Sequence, residues 1–415
     1  MIAEILSIGT ELLMGQVLNT NAQFLSRRLS ALGVSQYHQS VVGDNEARLE
    51  AAYRLALSRA DVVITTGGLG PTGDDITKEI AARIAGQPLV LHPDAEAMVR
   101  DRFRQYGRPM TDNNLAQAMF TPDSTVLPNP NGTAPGAIVP IPGGKTIIHL
   151  PGPPAELEPM FLSQVEPWLQ ARSGQNFVSR YIRIFGMGEA EVDSRLRPLM
   201  TGSNPTLSPY CSLGEVMLRA TAAAPTAGEA ADLLAPLVAA VQAEIGHVIY
   251  AIDPDDSGSL ARAAVEAMRA RGWTCAACES LTGGLIAATL VEVPGASAVV
   301  RGGFVTYQTD TKTLLAGVPA DMIAEHDVVS AEVAMSMAAG ARERLGVDIA
   351  VSATGIAGPD GGTPEKPVGT VFVGLSTAQG TTVLPLRLSG NRSRIRTLTV
   401  KHALNLLRME ALRME

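Results

Sequence analysis

Across positions 1–169, short β-branched apolar runs alternate with segments in which apolar residues recur every three or four positions. That alternation predicts strands and helices in turn, and hence a layered α/β unit on a parallel sheet. Positions 5–9 and 62–66 read as buried strands, and 20–32 as a helix capped by Asn19 or Thr20. Two more helices are expected over 47–59 and 77–85. The pattern changes at about position 177. Strict alternation over 181–185 and 215–222, helical spacing over 188–200 and 228–245, and a last strand over 248–252 predict a small α+β module. Within it, 210–215 reads as a turn, and the Pro/Asp/Ser-rich 253–258 as a linker. A helix over 260–271 then opens a second α/β unit, with strand-like runs at 273–277, 304–307 and 351–354 and a helix over 331–344. Three domains are therefore expected, 1–170, 171–253 and 254–415.

Composition narrows the class. The 415 residues are 46% hydrophobic and only 4% aromatic, with a net charge of -8, which suits a globular protein and argues against a nucleic-acid-binding surface as its main business. The N-terminal apolar run carries Glu4 and no basic cluster, unlike a signal peptide, and no run of 18 apolar residues suggests a membrane span, so a cytoplasmic protein is expected. Three cysteines, Cys211, Cys275 and Cys278, lack the second Cys/His pair that a zinc site requires, and the last two read as small buried strand residues.

The chemistry concentrates in three places. The first is Cys278-Glu-Ser280-Leu-Thr282-Gly283-Gly284, where a strand delivers Ser280 into a turn that opens a helix over 285–291. Taken alone, Ser280 reads more readily as a helix N-cap than as a nucleophile. The helix N-terminus would offer N–H groups and its dipole to an oxyanion or phosphate, and Lys312, beyond a second strand, offers a serine–lysine pair of the kind used in acyl transfer. The second place is the Gly/Pro-rich loop Thr354-Gly355-Ile-Ala-Gly358-Pro-Asp-Gly361-Gly362-Thr363, between two apolar strands.

These blocks resemble the CinA C-terminal domain, the nicotinamide-nucleotide amidase family, whose pattern runs Glu-Ser-Cys-Thr-Gly-Gly, Tyr-Ser-Asn with a following lysine, Ser-Gly-Ile-Ala-Gly-Pro and Lys-Pro-Val-Gly-Thr. This chain departs from it at Leu281, Gln308-Thr309 and Ala353-Thr354. The resemblance implies Ser280 as nucleophile, Lys312 as its base, Tyr307 and Thr354 in the pocket, and Arg394 as a phosphate or carboxamide contact. It further implies nicotinamide mononucleotide as substrate, no cofactor for this domain, and a homodimer.

The third place lies at strand ends of the N-terminal unit: Gly9-Thr-Glu11, then Thr66-Gly67-Gly68-Leu-Gly70-Pro-Thr72-Gly-Asp74-Asp75, with Asn131-Gly-Thr133 and Glu156 on further loops. Glycines and threonine hydroxyls before a helix make a phosphate cradle, and Asp74, Asp75 and Glu156 offer hard oxygen ligands to a divalent ion. The bland alternative makes one aspartate a cap and the glycines a loop, and His149 reads as a packed strand residue. Thr-Thr-Gly-Gly-Leu-Gly-Pro-Thr-x-Asp-Asp-x-Thr resembles the molybdopterin-binding-like fold of CinA proteins. By that resemblance the domain hydrolyses ADP-ribose to AMP and ribose 5-phosphate with Mg, Mn or Co. The middle module resembles their KH-like connector but lacks the lysine-flanked Gly-x-x-Gly loop that would clamp RNA. The competing expectation is a nucleotide-binding scaffold or a competence or DNA-damage accessory protein with one active domain.

Overall fold

The computed structural model describes residues 1–107, 109–174 and 176–413. The chain divides into two compact units, 1–178 with 222–233, and 179–221 with 234–415.

The first unit is built on a six-stranded sheet in the order Ser35–Val42, Ile2–Ile8, Val62–Thr66, Lys145–Leu150, Gly136–Ile141, Thr125–Leu127. The first four strands are parallel, and Gly136–Ile141 runs antiparallel to both neighbours, so the sheet is mixed and not wholly parallel as the sequence suggested. Successive side chains point to opposite faces. Ile5, Ile64 and Ile148 meet Leu25, Leu29 and Leu157 on one face, while Leu6, Val63 and Ile147 meet Leu49, Tyr53 and Ile80 on the other. Three layers result. The edge strand Ser35–Val42 escaped the sequence reading because its residues are mostly polar and half or fully exposed.

The connector sheet has the order Thr206–Ser212, Glu215–Ala224, Asn176–Phe185, Ile249–Asp253. The segment 210–215, expected to be only a turn, is the tip of an antiparallel hairpin, Tyr210 pairing with Met217 and Ser212 with Glu215. Pro209 obscured that strand, and a proline is tolerated there because the strand lies at the sheet edge. The helical segment Ala227–Val248 is, by length and composition alone, apolar enough to cross a membrane. Its buried residues Ala230, Leu234, Val241 and Ile245 nevertheless recur at helical spacing, the stripe of an amphipathic helix in a layered protein.

In the third sheet, Val300–Val305, Cys275–Glu279 and Ile349–Gly355 are parallel, and Thr370–Thr377 and Gly380–Arg387 continue it antiparallel. Cys275 and Ala277 face the layer formed by the helices Leu260–Ala270 and Arg392–Leu412, and Ala276 and Cys278 face the helix Ala331–Leu345. The Ala- and Met-rich face of that last helix is buried in its own domain: Ala334, Met337, Ala338 and Ala341 are each 0% exposed. The loops after Cys275–Glu279 and Ile349–Gly355 leave neighbouring parallel strands at the same end of the sheet, where ligands of α/β folds are bound.

Candidate active sites

Ser280 follows the strand Cys275–Glu279 directly, and its N–H donates to Ala353 O at 2.9 Å, tying the turn to the adjacent strand. Lys312 lies on the inward face of the helix Thr309–Ala316, together with Ala316 one turn on. It is 2% exposed, and its Nζ donates to Ser280 Oγ at 3.2 Å and to Thr306 O at 2.8 Å. Burial pulls its pKa below the ordinary lysine value, because a desolvated ammonium is disfavoured. The thiol beside it cannot compete as a nucleophile, since burial pushes Cys278 up to about 11. Cys275 is likewise buried and unpaired, in keeping with a structural part for both.

The turn is held differently from the sequence expectation. The buried carboxylate of Glu279 accepts from Ile286 N at 3.0 Å and Ala287 N at 2.9 Å, so the helix Leu285–Val291 already has an anion at its N-terminus. Two N–H groups assigned by sequence to an incoming oxyanion are thereby taken. Gly283 N is also used, donating to Ser280 O. Thr282 is fully buried with a hydroxyl that lacks a hydrogen-bond partner, and Gly284 takes the left-handed conformation at the helix start.

Arg394 does not reach this site. Its Nε donates to Ser389 O at 3.2 Å, within its own loop. Arg392 and Arg396, which the sequence reading missed, turn toward the site instead. Arg392 donates to Tyr307 Oη at 2.8 Å and to Gly358 O at 3.0 Å, and Arg396 to Leu281 O at 3.0 Å and Thr282 O at 2.6 Å. The reason is helix geometry: in Arg392–Leu412, positions 392 and 396 share a face and 394 lies about 200° around from the first. That four-residue spacing was the available signal. Tyr307 is 54% exposed at the rim, whereas Thr354 is buried and donates to Val328 O at 2.7 Å. Gly355 ends its strand, and Gly358 enters only through its carbonyl.

In the first unit a cavity of about 390 Å³ opens at the strand ends. Gly9, Glu11, Gly67, Gly68, Gly70, Asp74, Asp75, Thr133 and Glu156 line it, and Asp44 and Gln117, not anticipated from sequence, join them. Gly67 has φ +97°, and a Cβ there would stand 2.3 Å from Ile8 O, so two strand ends close together only over a glycine. Thr66 is a buried strand residue, and Asn131 turns to donate to Ala155 O at 2.7 Å. Thr72 gives its N–H, at 2.9 Å, and its hydroxyl to Asp75. Glu156 accepts from Asn129 at 2.7 Å, and Asp44 from Thr10 N at 3.0 Å and Thr10 Oγ at 2.8 Å. Asp74, Asp75 and Glu156 therefore do not form the ligand set expected of them: among the described residues no three His, Cys, Asp or Glu side chains gather closely enough to cage a metal. What the lining does carry is five carboxylates and no Lys, Arg or His. That donor set fits a hard cation held by one or two carboxylates, with water and a ligand's phosphates completing the sphere. His149 is 1% exposed, hydrogen-bonded to Thr65 at 2.9 Å, and pushed down to about 3 by burial, a packed residue as the sequence suggested.

One α/β unit with an acidic strand-end cavity, and a second unit with a serine–lysine pair and a small α+β sheet, define the class. Residues 4–171 match the family described as probable molybdopterin binding domain, 179–251 the damage-inducible protein CinA KH domain, and 257–411 the CinA C-terminal domain. A competence-damage inducible protein of Symbiobacterium thermophilum is 47% identical over 421 residues, covering 98% of each chain, and a CinA-like protein of Dictyoglomus thermophilum is 45% identical, again covering 98% of each. Among solved structures, the competence/damage inducible protein of Agrobacterium tumefaciens is 40% identical over 37% of this chain and 94% of its own, with a TM-score of 0.36. The chain belongs to the CinA family.

Proposed function

We propose that the chain is a two-site pyridine-nucleotide hydrolase whose C-terminal site deamidates nicotinamide mononucleotide to nicotinate mononucleotide and ammonia. The observation that carries the reading is the 3.2 Å contact between Ser280 Oγ and a buried lysine whose pKa is lowered. In its neutral form Lys312 accepts the Ser280 proton as Oγ attacks the carboxamide carbon. The C–N bond then breaks, Lys312 returns that proton to the departing nitrogen, and ammonia leaves an acyl-serine. Water adds to this ester with Lys312 again taking a proton, releasing the nicotinate and restoring Ser280. Arg396 fixes the carbonyls on either side of Thr282 and so positions the turn, while Arg392 and Tyr307 at the rim suit the substrate phosphate.

The acidic cavity is assigned to hydrolysis of ADP-ribose to AMP and ribose 5-phosphate. A diphosphate entering a lining of carboxylates alone needs a counter-cation. Asp74 with Glu11 or Glu156 would hold Mg, Mn or Co there, and the ion would supply charge neutralisation of the phosphates. Thr133 and Gln117 would orient the substrate, and the glycine loop lets it approach the backbone. A cytoplasmic homodimer completes the proposal. The test is ammonia release from nicotinamide mononucleotide by the full chain and its Ser280→Ala variant, with AMP release from ADP-ribose measured in parallel. An unchanged ammonia rate in the variant removes the first assignment, and absence of AMP with all three metals removes the second.

A further inference from the structure

Lys366 opens the block Lys366-Pro-Val-Gly-Thr370, a motif that the amidase chemistry leaves unused. From the Gly/Pro-rich loop its Nζ reaches a segment 39 positions earlier, donating to Asp327 Oδ2 at 3.0 Å and to His326 O at 3.3 Å. His326 is the last residue of the helix Ala320–His326, an end that favours a cation.

Asp327 is the residue that needs holding. Its φ is 70° and its ψ 156°, and among the described residues it is the only non-glycine at positive φ. That region belongs almost solely to glycine, because a Cβ there crowds the backbone, and a residue persists in it only where its surroundings over-determine it. Here they do. Asp327 N donates to Ile323 O at 2.9 Å, its carbonyl accepts from Ser330 Oγ at 2.9 Å, and its carboxylate accepts from Val328 N at 2.6 Å as well as from Lys366.

We propose that Asp327, with Lys366 as its clasp, is a positioning residue for Ser280, an inference that rests on the assignment of that serine as nucleophile. The route is short. The conformation of Asp327 sets the direction of the peptide that follows, and Val328 O accepts from Thr354 Oγ at 2.7 Å. Thr354 comes directly after Ala353, whose carbonyl accepts from Ser280 N at 2.9 Å. The strand Ile349–Gly355 is thus pinned at its end by the very segment that its own following loop clasps, and the serine turn is tied to that end. Were Asp327 to relax, Val328 O would leave Thr354, and the 3.2 Å contact of Ser280 with Lys312 would lose its fixed frame. The ion pair is partly exposed, 30% at Lys366 and 59% at Asp327, so its charge alone contributes little, and the backbone conformation is what the clasp preserves.

The test compares Asp327→Ala with Asp327→Gly in the full chain. Both remove the carboxylate, but only glycine adopts the observed φ and ψ without strain. Asp327→Ala should lower kcat for ammonia release from nicotinamide mononucleotide about tenfold or more with little change in KM, and Asp327→Gly should recover most of that loss. Lys366→Met should lower kcat in the native background and by less in the Asp327→Gly background. Hydrogen exchange of the Ser280 amide supplies a readout free of turnover: it should quicken in Asp327→Ala relative to Asp327→Gly. Equal kcat and equal exchange in the two variants overturn the proposal. A Lys366→Met loss that persists undiminished in the Asp327→Gly background also overturns it, since Lys366 would then act on the substrate and not through Asp327. A native chain that releases no ammonia removes the nucleophile assignment instead, and the exchange comparison still decides whether Asp327 positions the serine turn.

Discussion

Replacing Lys312 with Arg isolates the proton from the charge. Arg fits a buried stem and can donate to Ser280 Oγ and Thr306 O, but with a pKa above about 12 it cannot accept the serine proton at working pH. If Lys312 is the base, the loss should be that of general-base catalysis, about 10²- to 10⁴-fold in kcat, with little change in KM. The native enzyme should show the complementary pH profile. Because the 2% exposed ammonium is destabilised by burial, its pKa in the fold lies below that of the unfolded chain, about 10.4, and the unfolded state binds more protons between the two values. Stability is therefore complete above the unfolded pKa and is lost as pH falls through the folded one. Ammonia release should likewise rise with pH along a limb set by the lowered pKa. One proton is worth at most about 1.4 kcal/mol per pH unit. Thermal unfolding between pH 6 and 10 should thus show a positive slope that disappears in Lys312→Met. The assays are coupled ammonia release from nicotinamide mononucleotide and differential scanning calorimetry. A Lys312→Arg variant with near wild-type turnover, or a wild-type profile flat across that range, would refute the reasoning and leave Ser280 as a capped turn.

Arg396→Ala removes both hydrogen bonds to the serine turn and should lower kcat about 10-fold or more with partial rescue by Lys, measured by the same ammonia assay; unchanged kcat would make Arg396 merely structural. AMP release from ADP-ribose should vanish in excess chelator and fall in Asp74→Asn, whereas ammonia release should be indifferent to chelator; full pyrophosphatase activity without a divalent ion would sink the metal assignment. Gly67→Ala places a Cβ 2.3 Å from Ile8 O at a left-handed φ, so it should cost about 1–3 kcal/mol or more and lower the calorimetric midpoint of the first unit, leaving the amidase transition unmoved. Light scattering at micromolar concentration should return twice the chain mass, and a monomer mass would end the homodimer proposal.

What was legible in the sequence is what local chemistry dictates. Val62–Thr66 and Thr77–Ala85 were read to the residue because a β-branched run and an amphipathic stretch fall on either side of a glycine loop. Ser280 and Lys312 were singled out by their places after two strands and given their roles by the family resemblance, and the structure brings them within 3.2 Å across 32 positions. The strands Ser35–Val42 and Thr206–Ser212 were not legible, since an edge strand needs no apolar run on both faces and can hold a proline.

The misassigned arginine shows where such reading stops. Three arginines in five positions, Arg392, Arg394 and Arg396, are equivalent as composition, and only the phase of a helix that begins at Arg392 after the cap Asn391 separates them. Once that phase is fixed, the four-residue step puts 392 and 396 on the side of the serine turn and leaves 394 to its own loop. The same limit governs the acidic loop. Sequence shows Asp74 and Asp75 as a pair of potential ligands, but only the fold shows that Asp75 Oδ2 already accepts from Thr72 and that Asp44, from a different strand end, joins the cavity. Residue type thus names the chemistry that is possible, and the satisfied hydrogen bonds decide which of those residues still has an oxygen or a nitrogen to offer.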